Sequence, residues 1–452
     1  MKFNSINPYD GKIIGEYQSL DKEAVEDILS KVKQASGPWA ETPVTERSGL
    51  MANVGKILKA NVEEYARMIT LEMGKPIKEA RSEINKCAWV CEYYAENAGA
   101  FLRDESIETE AFKSYVRHDP LGSVLAIMPW NFPYWQVFRF AAPTLTAGNT
   151  GILKHAPNVF GCATQIAQIF KDAGFPEYVF QNLIIHHDLV GDIISHDTIR
   201  AVTLTGSERA GTAVAQIAGK CLKKSVLELG GNNAFIVWKD ANIDRIVQTA
   251  LTARMLNTGQ SCIAAKRFIL IKEIYDEFVD KYKKALSELK TGNPLDEETQ
   301  VGPLARKDLA ENLNDQIVRS VKMGAQLIVG GEMTGCFYSP TILGEVKPGM
   351  PAFDEETFGP LAAMIRAKDE VEAFSLAERS KYGLGVTVCT EDLEKAMSYA
   401  GSVSDGAYFV NELVKSDPRL PFGGTKRSGY GRELAKDGIM EFINRKTVYV
   451  SK

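Results

Sequence analysis

Apolar residues recur at three- and four-residue spacing through Asp21–Ala35, Val44–Asn61 and Val62–Gly99, so the first hundred residues are expected to be mainly helical. The rhythm changes near Ser114. Short apolar runs at Ser123–Met128, Thr150–Lys154, Asn182–Ile185, Ala201–Thr205 and Ser225–Leu229 alternate with helix-like stretches such as Val159–Ala173 and Arg209–Lys220. Alternation of this kind predicts a parallel sheet with helices on both faces. A second series follows Gly230-Gly231, with strands at Ala234–Trp238, Phe268–Ile271, Leu327–Val329, Leu361–Arg366, Gly385–Cys389 and Ala407–Val410. Helices at Ile274–Leu289 and Lys307–Met323 lie between them. The expected class is α/β, with two open Rossmann-like domains: residues 1–106 with 121–230, then residues 231–428. A ligand cleft is expected between them at the carboxyl ends of strands. Two further segments, Ile107–His118 and Glu441–Val450, read as strands with exposed alternation. Residues 107–120 and 438–452 are therefore expected to form a small β element for assembly into a homodimer or homotetramer.

Composition narrows the partners. The chain has 452 residues, enough for two or three well-buried domains, and a net charge of −5 that gives nucleic acid no basic face to bind. No apolar run approaches the roughly 18 residues needed to span a bilayer, so no membrane partner is expected. Met1–Gly15 alternates polar and apolar residues without a signal-peptide core, which points to a cytoplasmic protein. Seven cysteines are scattered, and Cys87 and Cys91, four apart on a helix, have no second pair to complete a metal site. No metal is expected, and six of the seven read as small buried hydrophobes. The adjacent His186 and His187 read as a surface feature.

The dinucleotide fingerprint G-x-G-x-x-G is absent. A phosphate would have to sit at another strand-to-helix turn, and Leu204-Thr205-Gly206-Ser207-Glu208-Arg209-Ala210-Gly211 is the best candidate. The same residues also read as an ordinary helix cap. Pro129-Trp130-Asn131-Phe132-Pro133 follows the first strand, its prolines fixing a backbone on which the Asn131 amide can face a developing oxyanion. Leu227-Glu228-Leu229-Gly230-Gly231 puts a glutamate among apolar residues, where burial raises basicity. Asn257-Thr258-Gly259-Gln260-Ser261-Cys262 puts a cysteine after a glycine turn.

These segments resemble the aldehyde dehydrogenase superfamily, and the resemblance covers essentially the whole chain. It runs from Asn7-Pro8 through Glu355-Glu356-Thr357-Phe358-Gly359-Pro360 and Pro421-Phe422-Gly423-Gly424 to Lys426-Arg427-Ser428-Gly429, with Glu228 and Cys262 separated by 34 positions. It implies that Cys262 is the nucleophile, forming a hemithioacetal and then a thioester. Asn131 and the Cys262 N–H would hold the oxyanion, and Glu228 would activate the hydrolytic water. Glu433 matches a second family glutamate, a proton relay or a structural ion pair. The implied cofactor is NAD or NADP, with Pro129, Trp130, Thr205, Gly206, Ser207 and Leu229 around it. Lys154 would sit at the adenine ribose, Glu356 at the nicotinamide ribose and Phe358 beside the nicotinamide. At Pro157, NAD-preferring relatives carry a glutamate; proline neither repels nor holds a 2′-phosphate, so both cofactors stay open.

The helix after Pro133 carries Trp135-Gln136-Val137-Phe138-Arg139-Phe140 where relatives commonly show Trp-Lys. Arg139 lies about two helical turns past Asn131 and can face the same cleft. This stretch, with Lys154-His155-Ala156-Pro157-Asn158 and Lys415-Ser416-Asp417-Pro418-Arg419, resembles the short bacterial succinate-semialdehyde dehydrogenases. In that group residues matching Arg139 and Ser416 hold the substrate's distal carboxylate, with Trp135 beside them. The plainer readings are a buried ion pair for Arg139 and a turn residue for Ser416. Small aldehydes such as glutarate semialdehyde or lactaldehyde remain the alternative substrates. A CoA-acylating enzyme is disfavoured by Glu228, and a non-catalytic relative by the intact Cys262, Glu228 and Asn131. Ser261 and Ile263 flank the nucleophile, which excludes a vicinal disulfide.

Overall fold

The computed structural model describes residues 2–452 and contains two open sheets. In the first, five parallel strands lie in the order Lys224–Glu228, Ile199–Thr205, Ser123–Met128, Thr150–His155 and Phe180–Asn182. The chain starts at Ser123–Met128, moves outward on one side, then returns to Ile199–Thr205 on the other. That reversal opens a crevice where Met128 and Thr205 end, the place where open α/β sheets take their ligands. Thr150–His155 is buried along its whole length, as a strand covered on both faces must be.

The second sheet has seven strands, in the order Gln326–Val329, Thr341–Gly344, Leu361–Ala367, Ala265–Ile271, Asn233–Val237, Val386–Cys389 and Tyr408–Val410. Only Gln326–Val329 runs antiparallel to its neighbour. Gly429–Tyr430 crosses back and pairs antiparallel with Leu227 and Glu228 of the first sheet. The crossing folds the Pro421–Gly424 loop over Glu228.

Several local expectations are corrected. The first residues form a hairpin, Lys2–Ile6 with Ile13–Gln18. It is tied down by Ser5, whose hydroxyl donates to the buried Glu72 carboxylate; Glu72 also accepts the N–H groups of Gly161 and Cys162. The helical stretch 62–99 is two helices, Val62–Met73 and Ile77–Phe101. Gly74 closes the first in a left-handed conformation (φ 78°), which suits a helix C-terminus, and Pro76 immediately precedes the second. The strand expected at Asn182–Ile185 lies at Phe180–Asn182. Thr341–Gly344, the strand between Gln326–Val329 and Leu361–Ala367, was not anticipated. Of Ile107–His118, only the second half is a strand, within Lys113–Pro120, which pairs with Ile443–Val450 and with Glu105–Ser106. This three-stranded sheet leaves Tyr449 and Val450 exposed, as is Phe112 just before it. Among the described residues no helix is long and apolar enough to cross a membrane.

Candidate active site

Cys262 sits just past an irregular turn that follows the helix Ile243–Met255. Asn257 (φ 56°) and Thr258 (φ 54°) occupy the left-handed region, a strain that persists only where neighbours enforce it. Here they do. The Asn257 side-chain amide donates to the carbonyls of Asn131 (2.7 Å) and Gln260 (3.1 Å), its backbone N–H donates to Glu79 (2.6 Å), and Gly302 N–H donates to the Thr258 hydroxyl (3.1 Å). From below, Lys266 Nζ donates to the carbonyls of Ser261 (2.9 Å) and Cys262 (2.7 Å). Gly231 presses against the same turn: a Cβ there would lie 2.4 Å from the Cys262 carbonyl oxygen. Burial pushes the Cys262 thiol up to about 11, while the Lys266 and Arg139 charges pull it down. Burial likewise pushes Lys266 down to about 8.

Two cavities meet at this cysteine. One, of about 350 Å³, is lined by Pro129, Trp130, Asn131, Thr205, Gly206, Ser207, Leu229, Glu356 and Phe358. The other, of about 190 Å³, is lined by Trp135, Arg139 and Ser416 with Lys86, Phe132 and Phe422 among their neighbours. The structure thus brings together all the cofactor-side residues singled out in the sequence except Lys154 and Pro157. Lys154 is buried near the end of its strand, and Pro157 opens the following turn; neither lines the larger cavity.

The larger cavity suits a nicotinamide nucleotide. Glu356 is held by the Gly231 N–H (2.9 Å) and by Lys266 (3.5 Å), leaving a fixed carboxylate to accept ribose hydroxyls. A Cβ on Gly230 would lie 2.5 Å from the Glu356 carboxylate, so the Gly230-Gly231 pair makes room for both Glu356 and the cysteine turn. Trp130 and Phe358 meet edge to face at 5.8 Å and wall one side. Ser207 caps the helix Glu208–Lys220 through the Ala210 N–H (3.3 Å), and this cap lies at the edge of the larger cavity. Leu229 packs against Gly211 of that helix.

The Asn131 side chain is held at both its polar atoms. Its side-chain amide donates to the Gln260 carbonyl (3.0 Å), and its side-chain oxygen accepts from Gln136 (3.1 Å). The loop carrying it is held by the buried His155, whose Nε2 lies 2.8 Å from the Pro133 carbonyl and whose Nδ1 lies 3.2 Å from the Met128 carbonyl and 2.9 Å from the Ala156 N–H. Burial pushes His155 down to about 4, which keeps the ring neutral.

Behind the cleft lies an acid pair with one cation. Glu228 lines neither of these two cavities; its carboxylate is buried near Gly423, with no hydrogen-bond partner on either oxygen. Burial, and next the Glu433 charge, push it up to about 8, against the pull of Arg139. Glu433 is also raised by burial. Arg139 Nε lies 2.5 Å from Glu433, its Nη2 donates to Thr205 (3.2 Å), and its guanidinium stacks 4.8 Å from the Phe422 ring. The buried ion pair considered for Arg139 is therefore present, and Arg139 faces the small cavity as well. Sequence reasoning missed Lys86, Glu79 and Lys266. The first two sit at helical spacing on Ile77–Phe101, far along the chain from every motif.

A nucleotide-sized cleft at a sheet switch point, meeting a small apolar cavity at one cysteine, defines a nucleotide-dependent oxidoreductase of the thiol type. A model of the aldehyde dehydrogenase family matches residues 1–448, and the chain belongs to that family. It is 45% identical over 448 residues to the NAD(P)+-type succinate semialdehyde dehydrogenase Sad of Escherichia coli, covering 98% of this chain and 97% of that one. It is 41% identical over 449 residues to the NADP+-type succinate-semialdehyde dehydrogenase of Deinococcus radiodurans, with 99% and 94% covered. The solved succinic semialdehyde dehydrogenase of Streptococcus pyogenes, in complex with NADP+, superposes with a TM-score of 0.97 at 35% identity over the full length of both chains. The protein is an aldehyde dehydrogenase that uses NAD or NADP.

Proposed function

We propose that this enzyme oxidises succinate semialdehyde to succinate. The observation that carries the reading is that Arg139, Ser416 and Trp135 share one small cavity with Cys262, so a short aldehyde can bear its anionic end there while its carbonyl meets the thiol.

In this reading the Cys262 thiolate adds to the carbonyl carbon, and the oxyanion faces the Asn131 amide and the Cys262 N–H. The bound nicotinamide nucleotide supplies the two-electron acceptor. The acyl group then remains on Sγ as a thioester. Glu228 swings from the Gly423 side toward the thioester, takes a proton from water, and the hydroxide displaces the Cys262 thiolate to release the acid. Arg139 holds Glu433 and moderates the Glu228 charge. The exposed sheet of Lys113–Pro120 and Ile443–Val450 is proposed to be covered by a second copy, to be checked by sedimentation.

The deciding experiment compares kcat/KM for succinate semialdehyde and butanal, each with NAD+ and with NADP+. A hundredfold preference for the semialdehyde, about 3 kcal/mol, is expected. Equal rates would leave a general aldehyde dehydrogenase with a structural Arg139. The better nucleotide resolves the choice left open at Pro157.

A further inference from the structure

The small cavity contains two cations in very different states. Arg139 is already matched by Glu433 and Thr205. Lys86 is not. Its Nζ donates to Ser416 Oγ at 2.8 Å and stands 4.2 Å from the centre of the Trp135 ring, and it forms no ion pair among the described residues. The acids whose fields reach it are committed elsewhere. Glu83 binds Lys75 and accepts the N–H groups of Tyr134 and Trp135, and Asp417 binds Arg419. A lysine normally extends its head into water; this one lies folded across an indole inside a cleft. An ammonium withdrawn from water without a counter-ion is costly, and here the nearby Arg139 charge adds to the cost. An arriving anion would relieve both.

We infer that Lys86 joins Ser416 in the receptor for the carboxylate of the substrate, beside an Arg139 that also holds Glu433. The inference rests on the semialdehyde reading above and adds a residue to those that carry its specificity. The hydrogen-bond direction supports it. Because Ser416 Oγ accepts from Lys86, its own hydroxyl proton is left to donate, so an ammonium and a hydroxyl present two donors side by side to one carboxylate. Trp135 walls this pair on the side of its ring. The ligand class is therefore a short aldehyde with a carboxylate at its far end, and the acid product should bind through the same two groups.

The test measures kcat/KM for succinate semialdehyde and for butanal in wild type, Lys86→Met, Lys86→Arg and Lys78→Met, the last removing an exposed cation from the same helix. Inhibition by succinate against butanal is measured in parallel. The semialdehyde-to-butanal ratio should fall at least about tenfold in Lys86→Met, mostly through KM, recover in part in Lys86→Arg, and hold in Lys78→Met. Succinate inhibition should weaken by a similar factor in Lys86→Met. Should that variant fail to fold, Lys86→Gln, which keeps a donor toward Ser416, takes its place. An unchanged ratio and unchanged succinate inhibition would reduce Lys86 to a brace for Trp135. A wild-type enzyme without preference would overturn the semialdehyde reading itself. Lys86 would then stand or fall on succinate inhibition alone.

Discussion

The two cavities that meet at Cys262 are built in opposite ways. The nucleotide side is made from consecutive short segments at strand ends, and its shape depends on backbone approach: Gly230 and Gly231 admit Glu356 and the cysteine turn, and prolines fix the Asn131 loop. The substrate side is assembled from single side chains on distant elements, with Lys86 and Glu79 on one helix, Trp135 and Arg139 on another, and Ser416 and Phe422 from the closing loop. One side is a matter of chain path and admits few substitutions. The other is a matter of which side chains project, and can be retuned while the chemistry stays.

The widest separation between the sides is expected at their seam. Cys262→Ala should lower oxidation of any aldehyde by about 10⁴ or more while calorimetry finds nucleotide affinity nearly unchanged. A large loss of nucleotide binding would mean that the two cavities are one site. Glu228→Gln should reduce steady-state turnover by about 10² to 10⁴, yet leave a first-turnover burst of reduced nucleotide. In wild type, Glu228 is protonated below about 8 and cannot take a proton from water there. Thioester hydrolysis should therefore rise with pH and level off above about 8, while the burst rate, governed by a thiol held near 11, keeps rising. A burst and a steady state with the same pH profile would assign the base to another group, Glu433 first. Gly230→Ala puts a Cβ 2.5 Å from Glu356 and should raise the nucleotide KM about tenfold, with the aldehyde KM moving far less. Smallest in size, Arg139→Met removes the charge that lowers Glu228, so the hydrolytic limb should shift to higher pH by about one unit.

The same contrast explains what could be read from sequence. Ser123–Met128, Ala201–Thr205 and the helix after Ser207 were legible because a strand buried on both faces leaves an uninterrupted apolar run with a cap behind it. The residues of the larger cavity, Lys154 and Pro157 apart, were legible for a related reason, since their motifs are local. Lys86 was not. On Ile77–Phe101 it has the spacing of any exposed lysine, and only the break at Gly74–Pro76 and the folding of Ser416 onto it give it a role. The hairpin at Lys2–Ile6 escaped because its anchoring partner, Glu72, lies in a helix 67 residues away from Ser5. The buried position of Glu228 was expected, but the Gly429–Tyr430 strand that closes over it is two residues long and has no pattern of its own.

The imidazole behind the Asn131 loop carries a cost in acid. His155 binds its proton far more weakly in the fold (about 4) than a free histidine does (about 6.5), so across that window unfolding takes up a proton and stability declines as the medium acidifies. The slope is about 1.4 kcal/mol for each pH unit, and it ends once the folded state is protonated as well. Protonation at Nδ1 would trade the bond from the Ala156 N–H for one to the Met128 carbonyl 3.2 Å away. His155 thus makes the fold less stable in acid through a side chain that takes no part in the proposed reaction.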